Sequence, residues 1–145
     1  MGFLLTVPNM GNDAETRIAH LQMIQAVIMR MAGNSFRVKG WTIILVAVLF
    51  ALTAVDANRF FVYVAYLPAV MFWALDAYFL RQERLFRKLY DQVREAGDGR
   101  VDFSMNTLPF NVGTTWNVAW SRTLCLFHGT ITATIIVVML VLNRP

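Results

Sequence analysis

Charge is what this sequence has least of. Asp, Glu, Lys and Arg make up 15% of its 145 residues, against about 25% in an ordinary soluble domain. That deficit argues against a solvated globular surface of the usual kind. Cysteine is nearly absent as well. Cys125 stands alone, which excludes an intrachain disulfide and any cysteine-based zinc cluster; inside an apolar run it reads as packing. The opening MGFLLTVPNMGNDAE has no basic region and only a short apolar run before Pro8, so it is not a signal peptide. It fits the loose N-myristoylation pattern, an anchor that a multi-span chain does not need. No glycine loop cradles a phosphate, no spacing suits zinc, and no serine or cysteine nucleophile has a matching base. Gly97 and Gly99 follow a helix rather than open one. The expectation is a chain that is not an enzyme and carries no cofactor or metal.

Apolar residues are what the chain has in quantity, 57% of the total, and they are gathered into runs. Residues 41–55 carry no charge, and residues 60–80 carry only Asp76. At about 1.5 Å per helical residue these reach roughly 22 and 31 Å, against a bilayer core of about 30 Å. Backbone groups in lipid must be satisfied within each segment, so both are expected to be helices. The short link at residues 56–59 makes them antiparallel, a transmembrane hairpin. Residues 123–142 form a third run without a formal charge. The predicted fold class is an all-α membrane protein. It has three transmembrane helices (a hairpin plus a third span), an N-terminal amphipathic helix and a cytoplasmic extension of the second span.

In chain order, residues 1–11 read as an irregular lead-in, and Asn12 with Glu15 as a capping box. Ile18, Leu21, Ile24, Ile28 and Met31 then fall at helical spacing, giving an amphipathic helix over 12–33. His20 near its start reads as a solvated or structurally bonded side chain, because no second ligand follows it. Gly33-Asn34-Ser35 is expected to interrupt that helix before span 1 at 39–56, with Arg37 and Lys39 snorkelling and Trp41 at the interface. Span 2 covers 60–80, with a kink from Pro68. It is expected to continue as a helix over 81–96, supported by the i,i+4 pairs Glu83–Arg87 and Arg87–Asp91. A loop with a short strand or interfacial segment fills 97–117, and span 3 covers 120–142. All of this forms one membrane domain.

The net charge of +4 suits anionic lipid and cytoplasmic loops better than nucleic acid, so direct nucleic-acid contact is not expected. Eleven of the 13 Lys and Arg residues precede span 1 or lie between spans 2 and 3; only Arg59 and Arg144 lie on the other side. The positive-inside rule then puts the N-terminus in the cytoplasm and the C-terminus outside. Arg81, Arg84, Arg87, Lys88 and Arg94 make a cytoplasmic basic collar.

Asp76 is the intramembrane acid. Such a group suggests function by default, yet at its shallow depth it could instead pair with Arg81 or with the basic residues before Trp41. In span 3, His128, Thr130, Thr132 and Thr134 are the candidate pore-lining residues. Small and hydroxylated side chains on one face let membrane helices approach closely, and around a symmetry axis the same face would line a polar path. Packing and pore lining both remain open at this point.

The segments NSFRVKGW (34–41) and WALDAYFLRQERLF (73–86) resemble those of small bacterial membrane proteins. The overall plan is similar to the few-span inner-membrane effectors of anti-phage defence systems. The resemblance implies an oligomer in the bacterial inner membrane that conducts or disrupts when triggered, with a soluble regulatory protein or a nucleotide-derived signal as its trigger. The functional expectation is therefore a homo-oligomeric pore or ion channel, with the bilayer and further copies of the chain as partners. The alternative is a membrane-anchored interaction module holding a soluble partner at the cytoplasmic face. A third reading is a carrier using Asp76 and His128 as a proton relay.

Overall fold

A computed structural model describes residues 10–56, 58–96 and 102–143, with the side chains of 10–13 and Asp56 left aside. Five helices follow one another: α1 Met10–Asp56, α2 Phe60–Val64, α3 Tyr66–Glu95, α4 Thr115–Ala119 and α5 Arg122–Leu142. Among the described residues there is no strand. Three helical stretches are long and apolar enough to cross a membrane: Ala14–Val55, Phe60–Glu95 and Arg122–Leu142. The fold class of the sequence reading, an all-helical chain with three such helices, holds at that level.

The largest departure is in α1. The break expected at Gly33-Asn34-Ser35 is absent, and the segments read as a separate helix at 12–33 and a span from 39 are one helix of 47 residues. An internal glycine costs about 1 kcal/mol against alanine, a small sum for a helix that packs on α3 on both sides of that point. The hydroxyl of Ser35, expected to help end the helix, is engaged instead by side chains of α1 and α3. Since α1 already runs from Met10, Asn12 lies inside the helix rather than at its cap, and the lead-in at 1–9 lies outside the described residues.

The second apolar run behaves as its proline predicts. Pro68 has no N–H to give to the Val64 carbonyl, and the helix is divided at Ala65, between α2 and α3. Beyond it α3 continues without interruption to Glu95, so the span and its extension are one element. Gly97 and Gly99, expected to end it, lie outside the described residues. The stretch from 102 to 114 is irregular, and α4 follows, capped by Thr114, whose side chain accepts from the Asn117 N–H.

Packing divides the bundle into three levels. At one end Val46, Val62, Ala65, Ala69 and Ile135 join α1, α2, α3 and α5. In the middle Ala77, Ala119 and Leu124 join α3, α4 and α5, with Trp73 and Leu80 against them. At the arginine-rich end α1 and α3 continue together as a two-helix stalk. There Ile24, Ile28 and Leu89 are buried, with Phe86, Tyr90, Met105 and Phe110 packed on them. Full burial of each of the first three contributes about 1.5–3 kcal/mol, and the irregular segment covers them through the half-buried Met105 and Phe110. His20 belongs here too. It is 1% exposed, with its ring 5.4 Å from Phe103 and neither ring nitrogen hydrogen-bonded, a packed histidine rather than a solvated or bonded one.

Candidate functional site

Where the stalk joins the apolar part of the bundle, four polar side chains from three helices meet. Ser35 and Lys39 are four apart on α1, so they share a face, the one turned to α3. Asp76 faces them from α3 and is fully buried. Its Oδ2 lies 2.5 Å from Lys39 Nζ and 3.0 Å from His128 Nε2 on α5. Its Oδ1 accepts from the Ser35 hydroxyl, and Ser35 Oγ accepts in turn from Lys39 Nζ at 2.8 Å. A carboxylate can only accept, so Nε2 is the ring nitrogen that carries a proton. His128 Nδ1 is then left buried without a partner. Asp76 therefore holds together the hairpin and the third long helix.

Aromatic rings close the cluster. Trp73 stacks on His128, with centroids 5.8 Å apart and planes 6° from parallel, and its indole N–H donates to the Ala119 carbonyl at 3.0 Å. Lys39 Nζ sits 5.9 Å above the Phe127 ring, a distance at which a cation is attracted by the ring face. Trp73 also lines an apolar cavity of about 330 Å³, together with Trp116, Trp120 and Ala77.

The expected site residues separate into distinct places. Asp76 takes the second of its two candidate partners: it pairs with Lys39, while Arg81 donates to the Gly113 carbonyl at 2.9 Å. Of the collar, Arg81 and Arg84 are half-buried; Arg87, Lys88 and Arg94 are exposed. Arg87 meets Glu83 at 2.7 Å as the spacing required. Arg94 lies near both Asp91 and Glu95. Of the pore-lining candidates, His128 is 1% exposed and faces Asp76 inside the protomer. Thr132 is half-buried, and Thr130 and Thr134 are exposed. All three threonines donate to carbonyls of their own helix four residues back. His128 and Thr130 are about 200° apart around α5, so they do not share a lining.

Ser35, Lys39 and Trp73 were not singled out as site residues. Lys39 read as a lipid-facing anchor and, with the other basic residues before Trp41, as one of two candidate partners for Asp76, and Ser35 as a breaker. The available signal was their i,i+4 spacing opposite the lone acid of the neighbouring span. Among the described residues no group of three or more His, Cys, Asp or Glu could hold a metal ion.

Comparison with protein-family models, curated proteins and solved structures finds no match for this chain. Its function is argued from its own residues.

Proposed function

We propose that the chain is a homo-oligomeric pore or ion channel of the bacterial inner membrane, oriented with its stalk in the cytoplasm. The observation that supports this best is the outward face of α5, where Thr130 and Thr134 are exposed on the side opposite the buried His128. A threonine that donates to its own helix carbonyl keeps its oxygen lone pairs free to accept. Gathered around an axis, such faces would offer ions and water a narrow path with one turn of acceptor oxygens, set between the exposed apolar Leu126 and Val137. Three spans are too few to enclose a path within one chain, so the function requires copies. In this reading the cluster around Asp76 holds each protomer together, and Thr130 and Thr134 line the path without His128.

Flux from liposomes and single-channel recording on purified protein test it. The expected result is a conductance that Thr130→Val with Thr134→Val sharply lowers, while the assembly survives. Protein that assembles yet never conducts refutes it. A role in anti-phage defence rests on the resemblance of 34–41 and 73–86 alone; loss of protection in a phage challenge on adding the same two substitutions is its test.

One observation favours the carrier reading: Asp76 and His128 are in direct contact. A relay needs a next group, and among the described residues His128 Nδ1 has none. Proton-coupled uptake unchanged by Asp76→Asn would remove it. The interaction-module reading rests on the exposed Arg87, Lys88 and Arg94. Recovery of the same partner from membranes after Arg87→Glu with Lys88→Glu would remove that one.

A further inference from the structure

The part of α1 that precedes Trp41 carries a second, uncharged stripe, with large apolar side chains at three of its positions exposed. One face packs on α3 through Ile24 and Ile28 and also carries the buried His20, set against Phe103. Away from it, Ile18, Met29 and Phe36 are 54%, 63% and 78% exposed. With the exposed Gln22 and Gln25 and the half-buried Ala32 they occupy positions 18, 22, 25, 29, 32 and 36. The steps alternate between four and three, the 3.5-residue repeat of a coiled-coil seam. The residues flanking one side of that seam, Ala19, Ala26 and Gly33, recur every seven positions and are all small, and a Cβ added at Gly33 would meet nothing within 4 Å.

The unbroken course of α1 decides what can cover this stripe. At 1.5 Å per residue, Met29 stands about 18 Å and Ile18 about 35 Å along the helix from Trp41. If residues 41–55 cross the bilayer, lipid does not reach those two side chains, and water is a poor neighbour for them. We infer that the stripe is a parallel, in-register seam between α1 helices of two copies of this chain. A second copy fits better than another protein for three reasons. The membrane holds all copies in one orientation and at one depth, so position 29 meets position 29 with no search for register. No charged residue lies in the seam, so a copy brings no like charge into it. Gln22 and Gln25 each carry a donor and an acceptor, and can bond to their own counterparts. The small residues at 19, 26 and 33 let the backbones come close on that side.

This inference shares with the pore reading only the need for more than one copy, and the experiment separates them. Single cysteines are placed along 18–36 of the full-length chain, in a Cys125→Ala background, and oxidised in native membranes. Disulfide-linked dimers are expected at Ile18→Cys, Gln25→Cys, Met29→Cys and Phe36→Cys, at least about tenfold more abundant than at Met23→Cys or Arg30→Cys, because only facing positions bring Cβ atoms within disulfide range. Seam cross-links in protein that conducts no ions would uphold the seam and remove the pore. An oligomer that purifies intact but cross-links equally at all positions, or best at 23 and 30, overturns the seam and leaves the assembly standing. Cross-links at the seam to a different protein also overturn it. Met29→Glu guards against a folding artefact: it is expected to lower the dimer yield at Ile18→Cys about tenfold with helix content unchanged, and an undiminished yield overturns the inference.

Discussion

Substituting Asp76 by Asn tests whether the buried cluster holds the three long helices together. The carboxylate is fully buried and accepts from three donors: Ser35, Lys39 and His128. An amide of the same shape has one acceptor oxygen, so it cannot accept from all three donors; with its NH₂ turned to the Ser35 hydroxyl, which can accept, it still leaves Lys39, whose side chain is 21% exposed, without a counter-charge. Removing one partner of a buried pair costs about 3–5 kcal/mol. Lys39→Met should cost as much, for it leaves the acid without a cation. If Asp76→Leu and Lys39→Met, each costing about 3–5 kcal/mol alone, acted independently, the double variant would lose the sum, about 6–10 kcal/mol. The geometry says otherwise. With both charges gone, Ser35 can turn back to its own helix carbonyls, and the main remaining cost is His128 Nε2 without an acceptor, about 1–3 kcal/mol. The assay is equilibrium unfolding in mixed micelles of rising denaturing-detergent fraction, read by tryptophan fluorescence, to which Trp73 against His128 gives a local probe. Asp76→Asn within about 1 kcal/mol of wild type would refute the reasoning, as would a double variant as damaged as the summed singles.

Other expectations follow from separate parts of the fold. Trp73→Phe should lose about 1 kcal/mol with its bond to Ala119, and Trp73→Ala about 3–5 kcal/mol; equal losses in the same unfolding assay would contradict the stacking role. Gly113 has φ +83°, and a Cβ there would meet Asn117 at an ordinary 3.5 Å. The cost of Gly113→Ala is therefore backbone strain of about 1–2 kcal/mol, visible as faster hydrogen exchange in 102–114. Ile24→Ala should cost about 2–5 kcal/mol in the stalk while the tryptophan signal of the cluster stays at its wild-type value. Asn143→Cys is expected to react with a membrane-impermeant maleimide from the face opposite to Lys88→Cys; labelling of both from one face would overturn the proposed topology.

Hydropathy and length made the three long helices legible, because a run of some 20 apolar residues has few other uses. The division near Pro68 was equally readable, since a missing N–H is a property of the residue itself. Continuity through Gly33-Asn34-Ser35 was not. Local propensity favours a break there, and only contacts with α3, distant in sequence, outweigh it. For the same reason Ser35 read as punctuation and Lys39 as an anchor, although their spacing already placed both on one face. Asp76 was visible as an anomaly, and its pairing with the basic residues before Trp41 was one of two choices. His128 illustrates the limit most plainly. Spacing puts it on a stripe with Thr132, but which side of that stripe turns inward depends on where α5 docks, and sequence periodicity alone has no origin for that angle.

The absence of a joint in α1 has a mechanical consequence. A rod that crosses from water into the apolar layer without a soft point passes on whatever tilt or rotation is applied at its far tip. Ser35 and Lys39 clasp it to Asp76 on α3, and through that acid to His128 on α5. Because α3 packs on α1 on both sides of that clasp, the two helices would tilt as one body, and α5, tied to the same acid through His128, would follow them.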